Sequence, residues 1–177
     1  YTNNDPAALL SQNQANIDAR IGSANYDSGH VFSTGGGGLA ASGVGIASRK
    51  AQGETGSPSP VGDSFYIDYV VHEMGHQFDA DHSWSGITGS CSSDNYAAES
   101  GAEPGSGTTI MSYAGICGAD NVATHADAVF HAINFDEIIA YVDTVIPSVG
   151  TRSVTGNSVP TVNAGSDYVI PINTPFT

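Results

Sequence analysis

Four basic side chains stand against eighteen acidic ones in this chain of 177 residues, a formal charge of −14. Arg20, Arg49, Lys50 and Arg152 are too few to track a phosphate backbone, and a field of that sign repels nucleic acid and anionic lipid alike. No nucleic-acid or membrane-surface partner is therefore expected. Long apolar runs are missing too, with nothing near the roughly 20 residues that a membrane-spanning helix needs. Cysteine is scarce: Cys91 and Cys117 lie in Gly- and Ser-rich stretches, which suits a loop-stapling disulfide and an oxidising compartment better than two buried thiols. No signal peptide precedes Tyr1, so a processed or excised chain is expected.

What is present fits one globular core with much loop, since 22 glycines and 8 prolines punctuate the chain. Residues 5–21 read as a helix with Asp5 as N-cap, Pro6 in the first turn and Gly22 at its end. "HVFST" (30–34) reads as a short strand, and 39–48 as one or two small apolar strands broken by glycine. Residues 52–62 read as a loop, and 83–109 as irregular structure. A helix is predicted from about Asp63 to Phe78, capped by Asp63 or Ser64, with Ile67, Val70, Val71, Met74 and Phe78 on one apolar face. "FDEIIAYVDTVI" (135–146) reads as another, with Asn134 as N-cap and Pro147 as its stop.

The chemistry concentrates in "HEMGHQFDADH" (72–82), which holds three of the six histidines. On a helix, His72 and His76 lie one turn apart on the same face and can present ring nitrogens to one ion. Glu73 sits one step round, badly placed to ligate but well placed to hold a water. His82 is too far along for the same helical face, so the chain must turn and bring it back. Three imidazoles leave one position of a tetrahedral zinc open, as in catalytic sites, where the metal acidifies a water whose proton Glu73 can take.

HExxHxxxxxH with "TIMSYAG" (109–115) downstream resembles the metzincin zinc proteases and their Met-turn. Together with "HVFSTGGGGLA" upstream, these motifs are most similar to secreted bacterial reprolysin-like (adamalysin-like) proteases, over about residues 25–145. The resemblance implies an α+β zincin-like domain with a small twisted mixed sheet, a long active-site helix and an irregular C-terminal subdomain. It makes His72, His76 and His82 zinc ligands, Glu73 the general base and Met111 the Met-turn methionine. Tyr113 falls where astacin-like and serralysin-like metzincins carry a tyrosine near the oxyanion; a packed tyrosine is the equal alternative. Strand 39–45 would be the edge to which a substrate peptide adds, and Ala114, Gly115 and Ile116 would wall the pocket for the residue after the scissile bond. Where the family has glycine this chain has Asp79, one of the few other residues that tolerate a left-handed conformation. "HSWSG" after His82 is similar to pappalysin-like relatives instead.

The leading reading is a secreted, monomeric zinc endopeptidase acting on protein or peptide. Two others stand beside it: a gluzincin-type protease with Glu99 or Glu103 as third ligand, and a non-catalytic, zinc-stabilised binding module. Asp94, Asn95, Glu99, Glu103, Asp120 and Asn121 offer oxygen ligands of the kind calcium prefers, although solvated acids explain them as well. His30, His125 and His131 have no second ligand at useful spacing and read as structural. The catalytic domain is expected over 1–147, with the family's first strand and helix either missing or supplied by a separate segment, and a linker over 148–158. Residues 159–177 alternate like the opening strands of an Ig-like β-sandwich module cut short.

Overall fold

A computed structural model describes residues 1–92, 94–163 and 165–167. Helix α1, Pro6–Ile21, starts where Asp5 accepts a bond from the Ala8 N–H at 3.0 Å and ends at Gly22. Its buried Asn13 and Gln14 reach the chain before β3: Asn13 donates to the Ala51 carbonyl at 2.8 Å, and Gln14 accepts from the Ala51 N–H at 2.8 Å.

Three strands form a mixed sheet: β1 (Val31–Ser33), β2 (Gly37–Ala40) and β3 (Gly53–Gly56), in the order β1-β3-β2. β1 runs parallel to β3, and β2 antiparallel to it with Leu39 opposite Glu54. Two expectations are corrected here. The second strand starts inside the glycine run and ends at Ala40, so of 39–48 only Leu39 and Ala40 belong to it, and the supposed loop 52–62 contains the central strand. "GETG" carries no apolar side chain, so neither alternation nor β-propensity announces it. Its glycine has a packing reason: a Cβ on Gly53 would lie 2.5 Å from both Gln77 and His30.

The long helix α2 covers 63–77 in three stretches: α-helical Asp63–Phe65, π-helical Tyr66–Val71 and α-helical His72–Gln77. Gly62 is its N-cap, without a side-chain bond, so neither Asp63 nor Ser64 caps it. The wider π turn shifts the faces out of 3.6-residue phase. Ile67 and Val71 pack against the buried Ala80, Ile110 and Met111, and Phe78 packs against Val44, Tyr141 and Ile146. Met74, expected on that apolar face, is 40% exposed.

After α2 the chain runs irregularly to helix α3, α-helical over Ala132–Ala140 and π-helical over Tyr141–Val145. His131, not Asn134, is its N-cap; Asn134 is fully buried inside it and donates to the Asp81 carbonyl at 2.9 Å. In between, Trp84, Cys91 and Cys117 make a third small core on which Tyr113 leans, and Cys91 is bonded to Cys117. Residues 151–163 are exposed and without regular structure. Most of the stretch read as an Ig-like opening, Ala164 and 168–177, lies outside the described residues. No helix among the described residues is long and apolar enough to cross a membrane.

Candidate metal centre and cleft

α2 sets His72 and His76 side by side, with ring centroids 4.9 Å apart. The helix then stops in a left-handed turn. Asp79 has φ 70°, the one non-glycine positive φ among the described residues. Its N–H bonds the His76 carbonyl, the Ala80 N–H bonds that of Gly75, and the chain reverses to carry His82 back toward the helix. His82 arrives with its ring 4.6 Å from that of His76 and 5.2 Å from that of His72.

Each ring is oriented by a backbone carbonyl. The Nδ1 atoms of His72, His76 and His82 lie 2.7 Å from the carbonyl oxygens of Ile110, Ala80 and Asn95 respectively. A carbonyl only accepts, so Nδ1 must carry the proton in all three, leaving each Nε2 with a bare lone pair. The Nε2 atoms of His76 and His82 face one another at 3.1 Å. Two lone pairs do not attract; a cation between them removes the conflict. One ligand nitrogen from each ring can be chosen so that all three lie within 4.8 Å of one another, and this is the one such metal-capable group among the described residues. Three neutral imidazoles held by carbonyl acceptors suit zinc with an open fourth position. Burial keeps them neutral: it pushes His72 well down, His76 to about 4 with help from His82, and His82 down as well.

Glu73 is buried beside this cluster under the edge strand β2. A Cβ on Gly38 would lie 2.3 Å from Glu73 Oε1, so only glycine lets the strand pass this close. Burial, and then the charge of Glu54, raise the Glu73 carboxyl to about 8. Glu54 itself was hidden in the supposed loop. It is fully buried on β3, accepts from the Ser33 hydroxyl at 2.6 Å, and burial raises its carboxyl too. With no pattern to mark β3, nothing in the sequence could have placed it there.

Tyr113 stands across from Glu73. Its ring is 4.6 Å from His82, and its hydroxyl accepts from Asn95 Nδ2 at 3.2 Å. Burial holds that hydroxyl above the ordinary range, hence protonated and able to donate. Met111 is fully buried beneath α2, where a Cβ on Gly75 would come within 2.5 Å of its sulfur.

Two cavities flank Glu73 and Tyr113. One of about 330 Å³ runs between α2 and residues 112–116, Ala114, Gly115 and Ile116 among its walls. The other, about 230 Å³, reaches His76, His82 and Asn95, and both touch Gly38 of β2. The cleft is thus long, bordered by a strand edge, and has the histidines at its middle.

The remaining candidates go elsewhere. Glu103 lies buried, with Oε1 taking the hydroxyls of Ser83 and Thr109 and Oε2 taking the N–H groups of Thr108 and Thr109. Glu99 is exposed, and neither glutamate joins the histidines. Asp94 is exposed, whereas Asp120 Oδ2 holds the N–H groups of Ile87 and Thr88, and Asn121 Oδ1 holds that of Cys117. His30 bridges Gln77 and Thr55, each at 2.8 Å, and His131 caps α3. His125, read as structural, lines the larger cavity and is paired with Asp68 at 2.8 Å. Helical spacing could have put Asp68 one turn before His72, but nothing marked its partner.

A family model described as metallo-peptidase family M12B, reprolysin-like, matches residues 1–142. No curated protein and no solved structure matches the chain.

Proposed function

The chain belongs to the reprolysin-like M12B metallopeptidases, and from that premise we propose that it is a secreted zinc endopeptidase. One observation supports this most: three imidazoles whose protons are all turned outward converge on one point beside a buried carboxyl. His72, His76 and His82 are the ligands. Zinc held there supplies Lewis acidity, polarising the scissile carbonyl and acidifying the attacking water.

The chain's own groups do the rest. A substrate peptide lies along the β2 edge and pairs with its free backbone groups, which brings one peptide bond over Glu73. Glu73 takes the proton of the attacking water and hands it to the leaving amine. Burial raises its proton affinity, which a zinc cation beside it would offset, leaving the carboxylate ionised to take that proton. Tyr113 donates its hydroxyl to the oxyanion as it forms. Met111 plays the Met-turn role, filling the space under α2 so that the imidazoles cannot sink.

Casein digestion with and without a chelator, combined with zinc analysis of variants, tests the reading. Histidine-to-alanine changes at 72, 76 or 82 should lose zinc and activity together. Glu73→Ala should keep zinc and lose about 10²- to 10⁴-fold in turnover, the usual worth of a general base. Full zinc and normal turnover in His82→Ala would overturn the ligand set, and chelator-insensitive or absent digestion would overturn the activity.

A further inference from the structure

We propose that the larger cavity selects a basic side chain, Arg or Lys, at the residue following the scissile bond, and that Asp68 is the residue that selects it. This rests on the endopeptidase reading. Glu73 touches both cavities, so the side is set by residues 112–116, which line the larger one alone apart from Tyr113 and stand where the resemblance puts the wall for the residue after the scissile bond. The cavity opening between Glu73 and residues 112–116 receives its side chain.

Asp68 is the charged group this cavity adds to the catalytic ones. It projects from α2 one turn before His72, and the loop 125–126 docks on it: the Ala126 N–H donates to Oδ1 at 3.0 Å and His125 Nδ1 to Oδ2 at 2.8 Å. Those bonds fix the carboxylate in place. A carboxylate has about four lone-pair positions, so about two remain for a guest. The Asp68 side chain is 18% exposed, open enough to be reached and closed enough that water does not fully screen it. No lysine or arginine lines the cavity to compete. Lys50, the buried cation of the chain, is occupied with the carbonyls of Ser23 and Tyr26. The exposed ring of Tyr69 on the same wall offers a face to the guest's apolar stem and its cationic head. A net charge of −14 draws basic peptides toward the cleft and repels acidic ones.

The test uses the zinc-loaded chain and peptides that differ only after the cleaved bond, in Arg, Lys, Leu or Glu. Arg and Lys should exceed Leu by about tenfold in kcat/KM, with Glu lowest. Asp68→Asn should bring the Arg-to-Leu ratio close to one, and Asp68→Glu should keep it above one. Leu equal to or better than Arg in the unaltered chain overturns the inference, whatever the variants do. So does an undiminished Arg preference in Asp68→Asn. A zinc-loaded chain that cuts none of these peptides, nor casein, fails the endopeptidase reading itself and takes the inference with it.

Discussion

The centre is built from two regions that hold their side chains by different means. The helical half, α2 over the sheet, places the backbones of His72, Glu73 and His76 through hydrogen bonds repeated along a helix. The irregular half, 82–130, positions His82 through one bond from its ring to the Asn95 carbonyl and Tyr113 through one from the Asn95 side-chain amide. Redundancy protects the first. In the second, one missing partner leaves a functional group without its aim, so damage there should fall on geometry, catalysis and stability together.

The largest expected effect lies where the irregular half meets the chemistry. Tyr113→Phe keeps the ring that packs on His82 and Trp84 and removes the hydroxyl alone. If that hydroxyl meets the oxyanion, kcat should fall about 10- to 1,000-fold with KM little changed. An unchanged kcat would make Tyr113 a packing residue and the loop half a scaffold for His82 only.

Replacing Cys91 and Cys117 together with serine tests the scaffold itself. The bridge spans 26 residues, and opening a loop of that length should cost about 3.5 kcal/mol by chain entropy. Urea unfolding should show that loss, and zinc affinity should weaken because Tyr113 and the Asn95 carbonyl lose their support. Full stability in the double variant would mean that the side-chain bonds hold this half unaided.

Glu103 takes four of those bonds on its two oxygens. Burial alone would raise its carboxyl, but the hydroxyls of Ser83 and Thr109 and the N–H groups of Thr108 and Thr109 hold it below the usual value of 4.5. A depressed folded pKa stabilises above the unfolded value. That contribution should be complete above pH about 4.5 and disappear as the pH falls through the lower folded pKa. Glu103→Gln should cost about 2 kcal/mol at pH 7 and flatten the acid side of the stability profile. An unchanged acid limb would move the acid sensitivity to another carboxyl.

The same division explains what could be read from the sequence. Helix α1 was legible to its cap, because Asp5, Pro6 and Gly22 each mark a local event. α2 was legible in extent but not in phase, since its π turn follows from no residue spacing and leaves Met74 outside. β3 was illegible because its identity is tertiary: it is a strand only by pairing with β1 and β2, and its glycines exist to admit Gln77, His30 and Ser33. The histidine group was legible through its spacing. The carbonyls that orient it, from Ala80, Asn95 and Ile110, were not, because every residue has a carbonyl and only the fold chooses among them. Glu54 was hidden with its strand, and Asp68 because nothing marked the loop 125–126 that docks on it.

The smallest effect sits at the joint between the halves. Asp79 takes φ 70°, a conformation that costs most side chains about 1–2 kcal/mol and aspartate less. The turn needs that conformation, since it closes the helix and lets His76 reach the Ala80 carbonyl with Nδ1. Glycine adopts it freely but loses more backbone entropy on folding. The two contributions nearly cancel, and removing one exposed negative charge from a chain at −14 tips the balance slightly toward glycine. Asp79→Gly should therefore raise stability by about 0.5 kcal/mol and leave zinc affinity where it was, whereas Asp79→Ala should lower stability by about 1 kcal/mol. Thermal unfolding of the two variants side by side reads the difference. A clear loss of zinc in Asp79→Gly would show that the carboxylate, and not the backbone turn, aims His82, and the joint would then belong to the irregular half.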